Sequence, residues 1–528
     1  MVRFTPSRAI VGLPFSVSDK LYNCAAVLHR GKLLGIVPKI FLPDYKGLDE
    51  KRWFVSGSEI CNDLYEIKFI DHTVPFGKLL FRNDQYDITM GVEIAEDLCS
   101  IIPPSSYLAL RGANIIANPS ASSESVGKAQ YRKKLVEQQS ARCNCGYIYA
   151  EAGVFESTTD MVFGGHCLIA ENGVILKESE RFQRKSSIIY SEIDIERLAH
   201  ERRSNLNLSG DYKYDLDKKY RIIEFNFIKN FVISSNNLER NIEQHPFIPS
   251  DPFTRNECCK EIFHIQTASL AKRLEHTGSR KAVIGISGGL DSTLALLVTA
   301  KTFDLLGISR KNIEAVTMPG FGTTDLTYTN AMKLMKALNV SVREIDIKPA
   351  CLQHMKDLGL DPNEHDITYE NLQARERTQI LMDLANKIGG LVVGTGDLSE
   401  LALGWATYNG DHMSMYSVNC GVPKTLVKIM VKWVADNLSD DITKKILYNI
   451  IDTPISPELL PPDKHGSISQ KTEDTLGPYE LHDFFLFYSV GYGMTPKKIL
   501  FLANTAFKGK YDSDTIKKWL KYFYKRFF

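Results

Sequence analysis

Short apolar runs alternate with turns in the first part of the chain. Runs at 25–28, 33–37, 115–117 and 147–150 have the length and residue content of strands. The segment 129–142 lies between two of these runs and has a helical composition. Strands and helices that follow one another in this way predict a layered α/β sandwich rather than an all-β domain.

A second alternation of strands and helices follows residue 256. Apolar runs at 281–286, 315–318, 340–347 and 391–394 predict strands, with helical segments between them. This order is typical of a doubly wound parallel sheet, whose ligands bind where the strands end. We therefore expect any chemistry of this part of the chain to lie in the loops that follow these four runs.

The two patterns are separated by polar sequence. The stretches 201–219 and 236–255, the second with several prolines, indicate a connector. We therefore predict a first domain over 1–225, a connector over 226–255 and a second domain over 256–528.

Composition narrows the function classes. The chain has 528 residues, a net charge of +1 and 44% hydrophobic residues, so it can bury large cores and has no overall charge that favours nucleic acid or a membrane surface. Its ten cysteines lack paired metal-binding spacings, and no apolar stretch is long enough to span a membrane. We expect reduced thiols, a cytoplasmic location and small-molecule chemistry.

The strand at 281–286 opens into a Ser-Gly-Gly-x-Asp-Ser turn. Gly288 and Gly289 allow close backbone approach, while Ser287 and Ser292 supply hydroxyl groups beside the free N–H groups of a helix start. The carboxylate of Asp291 suggests magnesium that bridges a pyrophosphate. The turn resembles the signature of the ATP pyrophosphatase group, which splits ATP into AMP and pyrophosphate.

Further motifs follow the later strands. The tract 394–400 places Glu400 about one helical turn inside the next helix, where it would be a second magnesium carboxylate opposite Asp291. Asn371 and Arg375 lie four residues apart and share one helix face. The loops at 404–411 and 421–425 add a stacking ring, an acid and a lysine, which are Trp405, Asp411 and Lys424.

Together these motifs resemble NAD synthetases, and the tract 394–407 with 423–425 resembles their glutamine-dependent form. The resemblance implies ATP-dependent amidation of nicotinic acid adenine dinucleotide, with Mg²⁺, ATP, and glutamine or ammonia as nitrogen donor. It implies a nitrilase-like α-β-β-α domain ahead of the ATP pyrophosphatase domain, and a homo-oligomer. It also places Thr395 near ATP, Arg375 and Lys424 near phosphates, and Asn371, Trp405 and Asp411 on the dinucleotide.

The family's glutaminase uses a Glu-Lys-Cys triad, and the first domain resembles it only in part. Lys39, in Val-Pro-Lys-Ile-Phe-Leu-Pro-Asp-Tyr, corresponds to the triad lysine, with Tyr45 in the glutamine pocket. The family's Gly-Val-Glu-Ile-Cys-Glu-Asp reads here with Ala95 in place of the cysteine. A methyl group cannot attack a carboxamide, and Cys99 lies too far along to replace the nucleophile.

Other positions of that pocket match the family, with Glu96, Ser122 and Lys128, the last replacing the more usual arginine. We expect two family segments to be missing. One carries the triad glutamate, and the other is a tail beyond 522–528 that helps close the synthetase site. The resemblance thus predicts glutamine binding without hydrolysis, and synthesis from free ammonia.

Several alternatives remain open at this point. The chain is either an incomplete or engineered version of a working enzyme, or a natural one whose glutaminase has decayed. A GMP or asparagine synthetase of the same ATP group would lack the nitrilase-like first half. The alternative hypothesis is that the chain is a catalytically impaired fragment or a nucleotide-binding assembly subunit.

Overall fold

The computed structural model of the chain describes residues 8–45, 48–60, 65–69, 72–204, 220–226, 238–453, 459–460 and 472–528. They form two compact units, one up to Asn241 together with 492–494, and one over 242–491 and 495–528. Within these ranges no helix is both long and apolar enough to cross a membrane. The domain boundaries predicted above stay a prediction.

The first unit is built on two main sheets. An antiparallel sheet has the order β1-β2-β3, and a seven-stranded mixed sheet has the order β13-β12-β11-β10-β9-β8-β14. The strands are β1 Arg8–Val17, β2 Lys20–His29, β3 Lys32–Pro38, β4 Asp44–Tyr45, β5 Leu48–Asp49, β6 Glu66–Phe69, β7 His72–Pro75, β8 Leu79–Asn83, β9 Ile88–Val92, β10 Ile115–Ser120, β11 Gly146–Glu151, β12 Leu168–Glu171, β13 Val174–Glu178 and β14 Arg221–Glu224. The helices are α1 Pro104–Leu110, α2 Lys128–Cys143 and α3 Ile195–Ser204.

The larger sheet separates two hydrophobic clusters. Ile115 packs with Val27 and Val37 of the smaller sheet, whereas Ile116 packs with Val136 of α2 on the opposite face. Successive strand residues point to opposite faces, so one strand contributes to both cores. The described residues thus form a helix layer, a sheet and a second sheet, which are three of the four layers of the predicted α-β-β-α sandwich.

The second unit confirms the predicted doubly wound sheet. Its five strands are all parallel in the order β17-β16-β15-β18-β19. They are β15 Ala282–Gly285, β16 Ile313–Thr317, β17 Ser341–Glu344, β18 Leu391–Gly394 and β19 Tyr416–Ser417. The helices are α4 Pro252–Thr277, α5 Leu290–Leu305, α6 Asp325–Ala337, α7 Lys348–Leu358, α8 Ile367–Ile388, α9 Leu398–Leu403, α10 Lys424–Asn437, α11 Asp441–Ile451, α12 Thr472–Leu476, α13 Tyr479–Leu486, α14 Pro496–Ala506 and α15 Ser513–Phe527.

This sheet is also covered on both faces. Ile284 packs into a cluster with Leu294 of α5, while its neighbour Val283 packs into a second cluster with Leu372 of α8. Strands buried on both faces explain the nearly continuous apolar runs in the sequence. The carboxyl ends of β15 and β18 lead directly into α5 and α9, and the candidate site of this unit lies there.

The polar stretch that was predicted to begin the connector at residue 201 starts as the end of helix α3. Leu198 is buried, and the Arg202 guanidinium donates hydrogen bonds to the carbonyl groups of Ala109 and Ala113. A charged residue that docks a helix in this way is indistinguishable in sequence from a solvated loop residue. Residues 205–219 of that stretch lie outside the described ranges.

Candidate active sites

The turn between β15 and α5 has the backbone geometry of a phosphate-binding turn. Gly288 has a φ of +87°, and a β-carbon there would collide with the carbonyl group of Thr327. The Ser287 hydroxyl accepts a hydrogen bond from the Gly289 N–H at 3.2 Å and lies 3.2 Å from the Ser292 hydroxyl. The two hydroxyl groups therefore face one another across the turn at the start of α5, where N–H groups are available to an anion.

Three carboxylates converge beside this turn. Oxygen atoms of Asp291, Asp397 and Glu400 lie within 4.8 Å of one another. The ammonium nitrogen of Lys424 lies between them, 2.8 Å from Asp291 Oδ2, 2.6 Å from Asp397 Oδ2 and 2.8 Å from Glu400 Oε1. Asp291 and Glu400 are thus brought together as expected, but Lys424 lies in their cluster, and Asp397 was not identified from the sequence.

Local helix chemistry explains how Asp397 and Glu400 are held. Asp397 is the N-cap of α9, and its Oδ1 accepts a hydrogen bond from the Glu400 N–H at 2.9 Å. The Glu400 carboxylate accepts one from the Asp397 N–H at 3.4 Å, which completes a capping box. The signal for Asp397 was therefore present, because an Asp three residues before a Glu is typical of a helix start.

Burial and mutual repulsion set the charge state of this cluster. Burial, the largest cause, raises the pKa of Asp397 and of Glu400, and the neighbouring carboxylates raise both further while Lys424 lowers them. Burial acts to lower the pKa of Lys424, but the three carboxylates outweigh it and hold that pKa well above its usual value. One ammonium therefore partly neutralises three crowded acids, and a divalent cation would neutralise them better.

The donor set fits magnesium. All three groups offer carboxylate oxygens, which are the ligands that this cation prefers. Asp291 Oδ1 is buried and accepts no hydrogen bond from any described residue, so one ligand atom is already free. Asp291, Asp397 and Glu400 would hold the ion, and Lys424 would then be released toward the neighbouring cavity.

A cavity of about 290 Å³ adjoins the cluster. Most of the residues predicted to contact ATP, metal or dinucleotide line it, namely Ser287, Gly289, Asp291, Ser292, Thr395, Glu400, Trp405, Asp411 and Lys424. Gly288 does not line the cavity, but it allows the turn to pass close to the Thr327 carbonyl. The motifs that follow separate strands thus meet in one space, as the parallel topology predicts.

Asn371 and Arg375 lie beside the cavity wall instead. The Asn371 amide oxygen accepts a hydrogen bond from the Thr407 hydroxyl at 2.9 Å, and Arg375 Nε donates one to the Tyr408 carbonyl at 3.0 Å. Both residues hold the loop 405–411. The face of α8 that lines the cavity carries Arg377, two residues further on. The four-residue spacing of Asn371 and Arg375 placed them on one helix face, but it did not show which face lines the cavity.

The loop 405–411 is held in place by its own contacts. Asp411 Oδ1 accepts a hydrogen bond from the Thr407 N–H at 2.8 Å, and burial raises the pKa of Asp411. The guanidinium of Arg526 lies 5.7 Å from the centre of the Trp405 ring and donates to the carbonyl group of Gly404 at 2.8 Å. A flat ring with one face against a cation offers a stacking surface for a base or a pyridine.

The first unit contains a second candidate site around Lys39. Its side chain is fully buried, and Nζ lies 2.7 Å from Glu50 Oε1, a residue that was not singled out in the sequence. Asp97 accepts backbone hydrogen bonds from Ile40, Phe41 and Ile94, at 3.2, 2.7 and 3.0 Å. This carboxylate therefore ties the loop after Lys39 to the turn that follows β9.

Ala95 begins that turn in a conformation that is uncommon for alanine. Its φ is +47°, and its N–H donates a hydrogen bond to Asn118 Oδ1 at 2.7 Å. The Asn118 amide donates to the Tyr147 hydroxyl at 2.9 Å, and that hydroxyl donates to the buried Glu93. A left-handed residue straight after a strand is the geometry of a nucleophile turn, here with a methyl group at its tip.

Cys99 lies at the other end of the same 3₁₀ turn, Ala95–Cys99. Cys99 is exposed as a residue, but partial desolvation of its thiol, together with the carboxylate of Glu96, raises the pKa of this thiol to about 12. A neutral thiol is a poor nucleophile at physiological pH. That Cys99 does not replace the residue at 95 stays a prediction.

The remaining pocket positions are only partly described. Glu96 Oε1 lies 3.9 Å from Lys128 Nζ, and Ser122 is buried just after β10. Tyr45 lies in β4, but its side chain is outside the described part of the structure. Glu96 lies in the turn that begins at Ala95, and Lys128 lies beside it.

Comparisons with known proteins bear on both units. The NAD synthase family profile matches residues 262–521. A glutamine-dependent NAD(+) synthetase from Mycobacterium leprae (strain TN) is 40% identical, over 98% of this chain and 79% of its own. One from Thermotoga maritima is 30% identical, over 96% and 79%. A solved glutamine-dependent NAD+ synthetase from Acinetobacter baumannii, in complex with ADP, is 22% identical over 98% and 79%, with a TM-score of 0.36.

Proposed function

Because this chain belongs to the glutamine-dependent NAD(+) synthetase family, we propose that it forms NAD(+) from nicotinic acid adenine dinucleotide and ATP with free ammonia as its nitrogen donor. The observation that carries the choice of donor is Ala95, which occupies the nucleophile turn of the first unit with a methyl group. The second unit, in contrast, has a cavity, a phosphate-binding turn and three carboxylates together.

The chemistry proposed for the second unit has two steps. The carboxylate of the nicotinate ring attacks the α-phosphorus of ATP, and pyrophosphate leaves with the electrons of the broken P–O bond. Ammonia then attacks the acyl carbon of the adenylate, AMP leaves, and the nitrogen loses a proton to give the amide. The turn at Ser287, Gly289 and Ser292 would hold the pyrophosphate as its charge develops.

Magnesium, when bound, supplies the positive charge that neutralises the leaving pyrophosphate. Asp291, Asp397 and Glu400 are the residues that would hold it. Lys424 would then exchange its carboxylate partners for a phosphate oxygen, since its pKa keeps it charged. Trp405 and Asp411 line the same cavity and would orient the dinucleotide, with Asn371 and Arg375 fixing their loop.

Within the described part of the first unit, the residue at position 95 offers no nucleophile for glutamine hydrolysis. Lys39 remains buried beside Glu50, Glu96 and Lys128 remain at the turn, and Ser122 is buried just after β10. A thioester needs a sulfur at position 95, and Ala95 offers only carbon and hydrogen. We therefore propose that the pocket binds glutamine without releasing ammonia. A cytoplasmic homo-oligomer is the assembly that we expect.

The decisive experiment follows the nitrogen atom. Purified protein is supplied with Mg²⁺, ATP, nicotinic acid adenine dinucleotide, unlabelled ammonium chloride and glutamine labelled with ¹⁵N in its amide. Mass spectrometry of the NAD(+) should show unlabelled product only, with one AMP for each NAD(+). Labelled product would overturn the ammonia proposal, and neither product nor AMP would favour a nucleotide-binding assembly subunit.

A further inference from the structure

Asp483 lies outside the cavity wall but connects two of the elements that form it. It is on α13 and only 2% exposed. Its Oδ2 accepts hydrogen bonds from the Thr425 N–H at 2.9 Å and the Thr425 hydroxyl at 2.6 Å, while Oδ1 accepts one from the Ser399 hydroxyl. One buried carboxylate therefore receives three hydrogen bonds from two different helix starts.

Both partners are direct neighbours of residues in the carboxylate cluster. Ser399 precedes Glu400 in α9, and Thr425 follows Lys424 in α10. The Ser399 hydroxyl also accepts a hydrogen bond from the Lys424 N–H at 2.9 Å. Ser399 thus links the two helix starts that carry Glu400 and Lys424. Asp483 is hydrogen-bonded to both starts, through Ser399 and through Thr425.

Helix α10 depends on this arrangement because its own N-cap residue supplies no side-chain acceptor for the first N–H groups. The N-cap is Pro423, which makes no side-chain capping hydrogen bond. The first N–H groups of a helix have no partner within the helix and need an outside acceptor. Here Ser399 satisfies that of Lys424, and Asp483 satisfies that of Thr425.

Tyr479 lies one helical turn before Asp483 on the same helix, so the two side chains share a face. Its ring is buried, and its centre lies 5.4 Å from the ammonium nitrogen of Lys424. An ammonium over an aromatic face is attracted to the ring. The Tyr479 hydroxyl has no hydrogen-bond partner among the described residues, so the ring, not the hydroxyl, is the interacting group.

We propose that Tyr479 and Asp483 of α13 are positioning residues that fix Lys424 and Glu400 for cation and phosphate binding. The proposal rests on the function proposed above, and it extends that site to a helix none of whose residues lines the described cavity. Asp483 sets where α9 and α10 begin relative to one another. The ring of Tyr479 holds the ammonium of Lys424 beside the site when a metal displaces it from the carboxylates.

The test compares Asp483→Asn with Asp251→Asn. Asp251 caps α4 with the same contacts, to the Thr254 N–H at 2.7 Å and its hydroxyl at 2.6 Å, and it is remote in sequence from the cluster. In the ammonia-dependent reaction, Asp483→Asn should raise the Mg²⁺ concentration for half-maximal rate about tenfold, as outer residues of metal sites do. Asp251→Asn should leave it unchanged, and the KM for the dinucleotide should change less than twofold in both.

Tyr479 provides a second test that survives if Asp483→Asn fails to fold. Tyr479→Phe keeps the ring and should retain the wild-type Mg²⁺ dependence, whereas Tyr479→Leu should shift it as Asp483→Asn does. A merely structural role would lower the maximal rate of both variants without moving the Mg²⁺ dependence. Equal Mg²⁺ dependence of the Phe and Leu variants would overturn the proposal.

The two proposals fail in different ways. Stabilisation of each variant against thermal unfolding by Mg²⁺ and ATP is measured without turnover, so it reports on the site even if the wild type makes no NAD(+). A wild type that is active with ammonia while Asp483→Asn keeps both its Mg²⁺ dependence and its Mg²⁺ stabilisation would overturn the positioning role alone. Absence of any Mg²⁺ effect on the wild type would overturn it as well.

Discussion

The ammonium of Lys424 lies 2.8 Å from Asp291 Oδ2, although the two residues are 133 positions apart in the chain. The contact joins the first residue of α10 to the phosphate-binding turn at the start of α5. It means that the positive charge of the site is supplied by the protein before any metal binds. Lys424 and a metal therefore compete for the same carboxylate oxygens.

Lys424→Met tests this competition. The variant should lose about 3 kcal/mol of unfolding free energy without metal, because the buried Asp397 and the partly buried Asp291 and Glu400 lose their cation. Mg²⁺ should then raise its melting temperature more than that of the wild type, since no ammonium must be displaced. NAD(+) formation should fall at least 100-fold. An equal Mg²⁺ shift in the two proteins would show that Lys424 does not occupy the metal position.

Asp397→Asn tests the residue that the sequence did not reveal as a ligand. Asparagine keeps an oxygen that can accept the Glu400 N–H, so the cap of α9 should be preserved. The loss of one negative charge should raise the half-saturating Mg²⁺ concentration about tenfold, as Asp291→Asn and Glu400→Gln should. Isothermal titration with Mg²⁺ and ATP measures all three variants. An unchanged half-saturating Mg²⁺ concentration for Asp397→Asn would show that only Asp291 and Glu400 bind the metal.

Glu50→Ala tests the buried pair in the first unit. Lys39 would be left as a buried charge without its partner, which should cost about 3 kcal/mol of unfolding free energy. The matched control is Glu59→Ala, because Lys20 and Glu59 form a pair of similar length, 3.0 Å, with both side chains half exposed. That change should cost less than about 1 kcal/mol. Urea denaturation followed by hydrogen exchange over 8–226 measures both, and equal losses would contradict the prediction.

His482→Gln tests the acid sensitivity of the second unit. Burial among Phe485, Trp519 and Phe523 lowers the pKa of His482 to about 4, and its Nε2–H donates to the Leu476 carbonyl. The unfolded imidazole takes up a proton below pH 6.5, whereas the folded one stays neutral until about pH 4. The stabilisation is therefore complete above pH 6.5 and is lost as the pH falls toward 4.

The free energy of unfolding of the second unit should fall by up to about 1.4 kcal/mol per pH unit across that window through this residue alone. Glutamine keeps an N–H donor and does not titrate, so His482→Gln should flatten the slope between pH 6.5 and 4. His354→Gln, at an exposed position of α7, should not. Denaturation at stepped pH values measures the three slopes, and identical slopes would contradict the assignment.

In the site of the second unit, the sequence predicted the residues that follow strands, and the structure explains why. Asp291 and Glu400 come just after β15 and β18, and adjacent parallel strands bring their ends together. Glu50 and Asp483 carry no such signal. Glu50 reaches Lys39 through an irregular turn, and Asp483 lies 58 residues beyond Thr425, so only the tertiary fold brings either to its partner.

Ala95 illustrates a different limit. The sequence predicted the loss of the nucleophile at position 95, but not that the residue there would adopt a left-handed conformation. That conformation is maintained by a chain of hydrogen bonds through Asn118 of β10, Tyr147 of β11 and Glu93, which follows β9. A local strain that is held by distant partners cannot be predicted from the local residues.

The dependence of α9 and α10 on Asp483 has a consequence for how the protein is made. Translation releases the chain from its first residue onward, so all five strands and both helix starts leave the ribosome before α13 does. Until α13 packs, Thr425 and Ser399 lack the carboxylate that joins them. On the positioning role proposed above, the chain therefore acquires nucleotide binding only after α13 has been made, and nucleotide does not guide the earlier folding of the sheet.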